Sequence, residues 1–263
     1  MSEPTVLLVI RDGVAEITLN RPQQRNALSL LMREELAQAI AQVRDDVAVH
    51  AVILIGAQEA FCSGGDLAQM LDPTQNGLVW RDRIRRLHRW FPELANLEKP
   101  VIAAVDGPAY GAGLSLALAA DFVLATPRAS FCAVFGRVGL IPDLGAMQLL
   151  PRIIGQQRAK ELVFSARRFD AAEAHALGIV YRIVPETRLM EEARALAIRF
   201  TEAPTAAIGM AKSIMNQAFH LDAHAMAEFE AYAQTVCRST EYHQEAVDRF
   251  KTKQPSRFDW ERE

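Results

Sequence analysis

Cysteine is scarce in this chain, with three among 263 residues. Cys62, Cys132 and Cys237 lie far apart, with no Cys-x-x-Cys pair and no matching histidine spacing, which argues against a disulfide scaffold or a zinc site. Long apolar runs are missing as well. No stretch approaches the roughly 18 uninterrupted apolar residues of a membrane span, so no membrane partner is expected. The opening Met1-Ser2-Glu3-Pro4 has no basic region followed by an apolar run, so no signal peptide is expected and the cytoplasm is the default location. Charge of one sign is also not in excess. A net charge of −3 gives no general reason to expect nucleic-acid binding, although a local basic cluster suffices for a polyanionic small ligand. Half of the residues are apolar and 23% are charged, the balance of an ordinary globular protein. The length allows one large core, or one core plus a helical appendage.

What is present begins as a hairpin. Val6–Ile10 and Val14–Leu19 are β-rich runs, and Arg11-Asp12-Gly13 supplies the turn between them. Ser29 is placed to cap a helix in which Leu31, Leu36, Ala39, Ile40 and Val43 recur at helical spacing. A loop is expected over 72–77 and a helix from Trp80 to Leu97. That helix carries Arg81, Arg83, Arg85, Arg86, His88 and Arg89, either as a solvated face or as a basic wall over a pocket. Lys99-Pro100 opens another buried strand, and short buried runs follow at Phe122–Ala125 and Ile179–Val184. Beyond Pro185 only helix formers remain, over 188–201, 205–217, 221–237 and 240–252.

Two glycine-pair loops stand out. Ala60-Phe61-Cys62-Ser63-Gly64-Gly65-Asp66-Leu67 follows the run Ala51–Ile55, and Gly107-Pro108-Ala109-Tyr110-Gly111-Ala112-Gly113 follows Val101–Val105. Small residues let a backbone approach a ligand and direct N–H groups at it. Two such loops side by side can hold an oxygen that gains negative charge. Preorganised donors of that kind can each lower a barrier by about 3–4 kcal/mol.

Taken in order, Asn20-Arg21-Pro22-Gln23-Gln24-Arg25-Asn26-Ala27-Leu28, the AFCSGGDL loop, KPVIAAVDGPAYGAG and VGLIPDLG resemble the crotonase, or enoyl-CoA hydratase/isomerase, family. The resemblance spans nearly the whole chain. It implies an α/β fold, with a ββα-spiral core that binds acyl-CoA over 1–195 and an α-helical C-terminal oligomerisation region over 196–263. In that family the last region builds a trimer, often doubled to a hexamer. The implied substrate is an acyl-CoA thioester, with coenzyme A arriving as part of the substrate and no separate cofactor.

Matching the family pattern makes the backbone N–H groups of Gly65 and Ala112 the donors to a thioester enolate oxygen. The two glutamates that a hydratase uses would fall at Ser115 and Phe135, and neither is acidic here. Asp143, set between Pro142 and Leu144-Gly145, instead resembles the catalytic aspartate of family isomerases, including those acting on ring-opened phenylacetyl-CoA intermediates. One carboxylate can remove a proton at one carbon and return it at another, so double-bond isomerisation is the favoured activity. A hydratase with a non-standard base and a non-catalytic acyl-CoA-binding protein stay open, and Asp143 can also be read as a helix cap.

For the CoA portion, the resemblance points to Arg25 and Ala27, to the loop residues Ala60, Cys62, Ser63, Gly64, Asp66 and Leu67, and to Phe250 and Lys253 of the tail. Cys62 can be imagined as a nucleophile, but a small residue in a tight turn is the favoured reading. Gly113-Leu114-Ser115-Leu116-Ala117 is a poor nucleophile elbow, because glycine-loop residues separate the serine from the strand. Gly111-Ala112-Gly113 lacks the third glycine of a dinucleotide loop. His175 reads as a helix-surface histidine. Trp80, Leu87, Trp90, Phe91, Phe135 and Leu144, if they converge, make a roomy aromatic pocket for a bulky acyl chain.

Overall fold

The structure is a computed structural model and describes residues 3–66, 68 and 76–261. Strands β1 (Val6–Arg11) and β2 (Val14–Leu19) form the expected hairpin. Asp12 and Gly13 take φ of 50° and 76°, the doubly left-handed turn that matches strand twist. Helix α1 (Leu30–Asp45) starts at Ser29, whose hydroxyl accepts the Met32 N–H at 3.1 Å. It ends against the buried Lys99 ammonium, which donates to the carbonyls of Val43, Arg44 and Asp46 and so satisfies last-turn acceptors. Met32, Leu36, Ala39, Ile40 and Val43 face the core. Leu31, expected there, is exposed, because the buried stripe is turned by one residue.

The chain continues through β3 (Ala51–Gly56), α2 (Gly77–Ala95), β4 (Val101–Val105), β5 (Pro108–Tyr110), α3 (Ala112–Leu118), β6 (Phe122–Ala125) and β7 (Ser130–Cys132). Next come α4 (Ala146–Ile154), α5 (Gln156–Ser165), β8 (Arg168–Asp170), α6 (Ala171–Ala176), β9 (Arg182–Ile183) and α7 (Leu189–Ile198). The larger sheet has the order β1-β2-β3-β4-β6-β9 and is parallel except for the hairpin. After leaving it, the chain repeatedly makes a short extended pairing in a second layer. Those pairings are Leu28 with Gly65, Cys62 with Ala109, and β5 with β7, and β8 completes the layer. Strand, short strand and helix therefore recur as a ββα spiral. Of the loop expected over 72–77, residues 72–75 lie outside those described, and Gly77 already belongs to α2, whose first amides are capped by Asn76.

Both faces of the large sheet are buried, as parallel strands require. Val52, Leu54, Val101, Ala103 and Val105 face the core under α1–α4, while Ala51, Ile53, Ile102 and Ala104 face α7. Helix α7 runs through the expected boundary at residue 195, and Leu196, Ala197, Phe200 and Ala203 still pack on the sheet. The appended helices are α8 (Thr205–Gln217), α9 (Ala223–Arg238) and α10 (Glu241–Lys251). Lys212 clasps α8 to the core through Asp121 at 2.7 Å, whereas α9 and α10 bury no residue within the chain. The tail then returns to the core, where Trp260 packs on Phe122 and Phe200. Among the described residues no helix is long and apolar enough to cross a membrane.

Candidate active site

Asn26 organises the first loop. Its buried side chain accepts from the Arg21 N–H and donates to the carbonyls of Ala57 (2.9 Å) and Ala60 (2.7 Å), tying the Arg21 turn to the segment after β3. Leu28 then donates to Gly64 O at 2.8 Å and accepts from the Asp66 N–H at 3.3 Å. In such a parallel bridge the residue between those two peptides directs its own N–H away from the partner strand. That residue is Gly65. Arg21 holds Asp66 at 3.0 Å and also donates to Ala27 O, so Asp66 fixes the loop.

In the second loop, the Gly111 N–H is taken by Cys132 O at 2.9 Å, and Ala112 opens α3, where the first amides have no intrahelical acceptor. The two loops pack backbone to backbone. A methyl on Gly64, whose φ is 110°, would sit 3.0 Å from Tyr110 O and 3.9 Å from the Ala112 nitrogen. A methyl on Gly113 would sit 2.1 Å from Cys62 O, which no side chain can do. Among the described residues, neither the Gly65 nor the Ala112 N–H donates a hydrogen bond, and both residues line one cavity of about 1240 Å³.

Asp143 lines the same cavity. It precedes Leu144 and Gly145, both left-handed with φ of 45° and 72°. Gly145 is the N-cap of α4, and no side chain caps that helix, so Asp143 is not its cap. The Ser115 hydroxyl lies 3.0 Å from the Asp143 carbonyl oxygen and 3.3 Å from that of Gly111, its one proton shared between them. Ser115 thus joins the Asp143 loop to the helix that begins at Ala112. The Asp143 Oδ1 is buried with no hydrogen-bond partner. Burial pushes this carboxyl above its ordinary range, while the charges of Arg33 and His88 and its own backbone N–H pull it back.

Helix α2 presents Trp80, Arg81, Ile84, Arg85, Leu87 and His88 to the cavity. The basic-wall reading therefore holds for Arg81, Arg85 and His88, whereas Arg86 and Arg89 are solvated and lie outside the lining. Phe135 and Leu144 join the lining, but Trp90 and Phe91, one turn further along α2 from Leu87, are buried in the core, Phe91 against Gly145.

The structure gathers Arg25, Ala27, Ser63, Gly64, Gly65, Asp66, Ala112 and Asp143 around this single cavity. Ala60 and Cys62 are corrections. They are buried behind the loop, one bonded through its carbonyl to Asn26 and the other bridged to Ala109. Burial pushes the Cys62 thiol up to about 12, which removes it as a nucleophile. Phe250 and Lys253 do not line the cavity within one chain; they sit on the exposed end of the α10 segment, before the tail returns to the aromatic cluster around Phe200. Leu67 lies outside the described residues. Ser115 is fully buried, so the elbow reading fails, and Cys62 O occupies the space where Gly113 would meet a pyrophosphate. The His175 Nδ1 lies 2.8 Å from Val180 O, a structural contact. Sequence reasoning missed Arg33, which projects from α1 into the cavity.

The family model for enoyl-CoA hydratase/isomerase matches residues 9–262. The chain belongs to the enoyl-CoA hydratase/isomerase family. It is 35% identical to the 1,2-epoxyphenylacetyl-CoA isomerase of Escherichia coli, covering 96% of this chain and 97% of that protein. It is 34% identical to the short-chain-enoyl-CoA hydratase of Clostridium acetobutylicum, covering 93% and 94%. Among solved structures, an enoyl-CoA hydratase/isomerase from Cupriavidus metallidurans CH34 superposes with a TM-score of 0.93 at 38% identity, covering 98% and 97%. Enoyl-CoA hydratase/isomerase enzymes act on acyl-CoA thioesters, and the relatives of this chain carry both hydratase and isomerase names. The fold is the crotonase fold that the sequence motifs imply.

Proposed function

We propose that this enzyme moves a carbon–carbon double bond within an enoyl-CoA, with Asp143 as the acid/base and the Gly65 and Ala112 N–H groups as donors to the enolate oxygen. One observation carries the reading. Of the two carboxylates among the described lining residues, Asp66 is ion-paired to Arg21, and Asp143 alone keeps a buried oxygen without a partner. The thioester carbonyl seated between Gly65 and Ala112 makes the α-hydrogen acidic. Asp143 takes that proton, negative charge collects on the carbonyl oxygen, and the same carboxyl returns the proton at the γ-carbon. No separate cofactor enters this scheme, since coenzyme A is part of the substrate.

Arg25, Ala27, Ser63, Gly64 and Asp66 form the CoA side of the cavity in this reading, with Arg81 and Arg85 offering charge to the phosphates. Helix α9, which buries no residue within the chain and leaves Phe229, Tyr232 and Val236 exposed, supports association of copies into a trimer or hexamer. A contact of Phe250 and Lys253 with the nucleotide would then come from a neighbouring copy. Three free cysteines fit a reducing compartment, and the cytoplasm is the one proposed.

Incubation with matched 2-enoyl- and 3-enoyl-CoAs is the test. Interconversion of the two supports the proposal. A 3-hydroxyacyl product, as the hydratase-named relatives suggest, would replace it with hydration, and binding without turnover would replace it with a carrier role.

A further inference from the structure

Arg33 is a cationic group in the cavity that the isomerisation scheme does not use. Its position follows from α1: Met32 and Leu36 point into the core, and Arg33, one step round the helix, points past them into the cavity. Its Nε is buried without a hydrogen-bond partner, and among the described residues it forms no ion pair. The terminal nitrogens are not buried in this way and open towards the cavity. An Nε–H taken out of water and left unbonded costs free energy unless a ligand that covers the head supplies the acceptor.

The surroundings say which part of the ligand that is. Burial and the like charge of Arg83 lower the Arg33 guanidinium to about 10, which leaves it cationic at neutral pH, while Asp143, Cys62 and Asp66 act on it in the opposite sense. Arg33 and Asp143 line the same cavity, and each keeps a buried polar atom without a partner. Of the two described lining carboxylates, Asp143 acts on Arg33 more strongly than Asp66, which puts Arg33 nearer the Asp143 end. If Asp143 reaches the reacting carbons, that end holds the acyl chain and not the nucleotide. Phe135, Leu140, Ile141 and Leu144 nearby along the lining offer a guanidinium no acceptor.

Resting on the acyl-CoA reading of this cavity, we infer that its substrate class is acyl-CoA whose acyl chain carries its own oxygen acceptor, a carboxylate above all, received by Arg33. A plain hydrocarbon chain would leave the cation buried against methylenes. A chain ending in a carboxylate would give it a bidentate, charge-matched partner.

Calorimetric titration with saturated thioesters tests this without requiring turnover. A series of ω-carboxyacyl-CoAs is compared with alkyl-CoAs of equal length, alongside free coenzyme A. The wild type should bind a carboxyacyl member about tenfold to a hundredfold tighter than its alkyl counterpart. Arg33→Met, which keeps the stem and loses the cation, should abolish that preference while alkyl binding holds or improves, and Arg33→Lys should recover part of it. A wild type that favours alkyl chains at every length would overturn the inference. So would an Arg33→Met variant that weakens both series alike, which would mean that the arginine only maintains the cavity or balances Asp143. Failure of free coenzyme A and of every thioester to bind would instead count against the acyl-CoA reading itself, and the inference would fall with it.

Discussion

Replacing Asp143 by Asn changes little in shape and removes the ability to accept a proton at neutral pH. If Asp143 is the acid/base, the cost is that of losing one positioned general base, about 10²–10⁴ in rate. At 1.36 kcal/mol per decade this is about 3–5 kcal/mol of barrier. The structure separates this loss from any loss of stability. Gly145 is the N-cap of α4 and the Asp143 side chain accepts no amide of that helix, so no capping bond disappears. The Asp143 carbonyl, which Ser115 holds, is backbone and is retained. The ionised carboxylate itself opposes folding, because burial raises its pKa above the ordinary aspartate value. Between the unfolded and the raised folded pKa the native state binds more protons, so its stability falls as pH rises, and the cost is fully present above that window. Asn has no such charge, so the variant should match or exceed the wild type in Tm at neutral pH.

The assay is kcat and KM on an identified enoyl-CoA, with a saturated acyl-CoA titrated in parallel. kcat should fall by about 10²–10⁴ with thioester affinity little changed. In the wild type, kcat/KM should rise with pH through a limb above the ordinary carboxylate range, and the residual activity of the variant should lack that limb. Wild-type turnover by Asp143→Asn would remove Asp143 from the mechanism. A collapse in Tm would show that the residue is structural.

Other sites yield sharper structural outcomes. Ser115→Ala should lower the unfolding free energy by the worth of one buried hydrogen bond, about 1 kcal/mol, and should reduce kcat more than it raises KM, because the Asp143 loop loses its tie to the Ala112 helix; equal effects on both constants would refute that positioning role. Gly113→Ala places a methyl 2.1 Å from Cys62 O, so the two loops must part; acyl-CoA binding should be lost and the unfolding free energy from chemical denaturation should fall by about 1–3 kcal/mol. Lys212→Met leaves Asp121, whose carboxyl burial already pushes up, without its cation; a loss of about 3–5 kcal/mol in unfolding free energy is expected, and Lys212→Met with Asp121→Asn should recover much of it.

Much of the fold was legible because its signals are local. A turn with two residues at positive φ asks for Asp-Gly, and Asp12-Gly13 supplies it. A helix start asks for a hydroxyl acceptor, and Ser29 supplies it. The second layer was not legible, since its strands are only three residues long and two of its pairings are single bridges, too short for any periodicity. The expectations for Leu31, Trp90 and Phe91 failed for a related reason. Apolar spacing says that a helix has a buried side, but only packing decides which of two neighbouring residues faces the core and which faces a cavity.

The same division runs through the site. Gly64, Gly65, Ala112 and Gly113 could be read from sequence because a backbone donor pair needs residues small enough for two main chains to touch, and that need shows in residue type. Asp143 could be read because a carboxylate in an apolar stretch is costly unless used. Arg33 could not, because in Met32-Arg33-Glu34-Glu35 it looks like any charged residue on a helix. What makes it unusual is the direction in which α1 is laid, with its N-terminal turn fixed by Ser29 and its C-terminal turn by Lys99, a residue 56 positions from the carbonyl it meets at Val43. A cation whose environment is set by such distant contacts has no local signature. The two loops whose N–H groups face the cavity are therefore written in residue type, while the direction of Arg33 is written in how the helices are laid down.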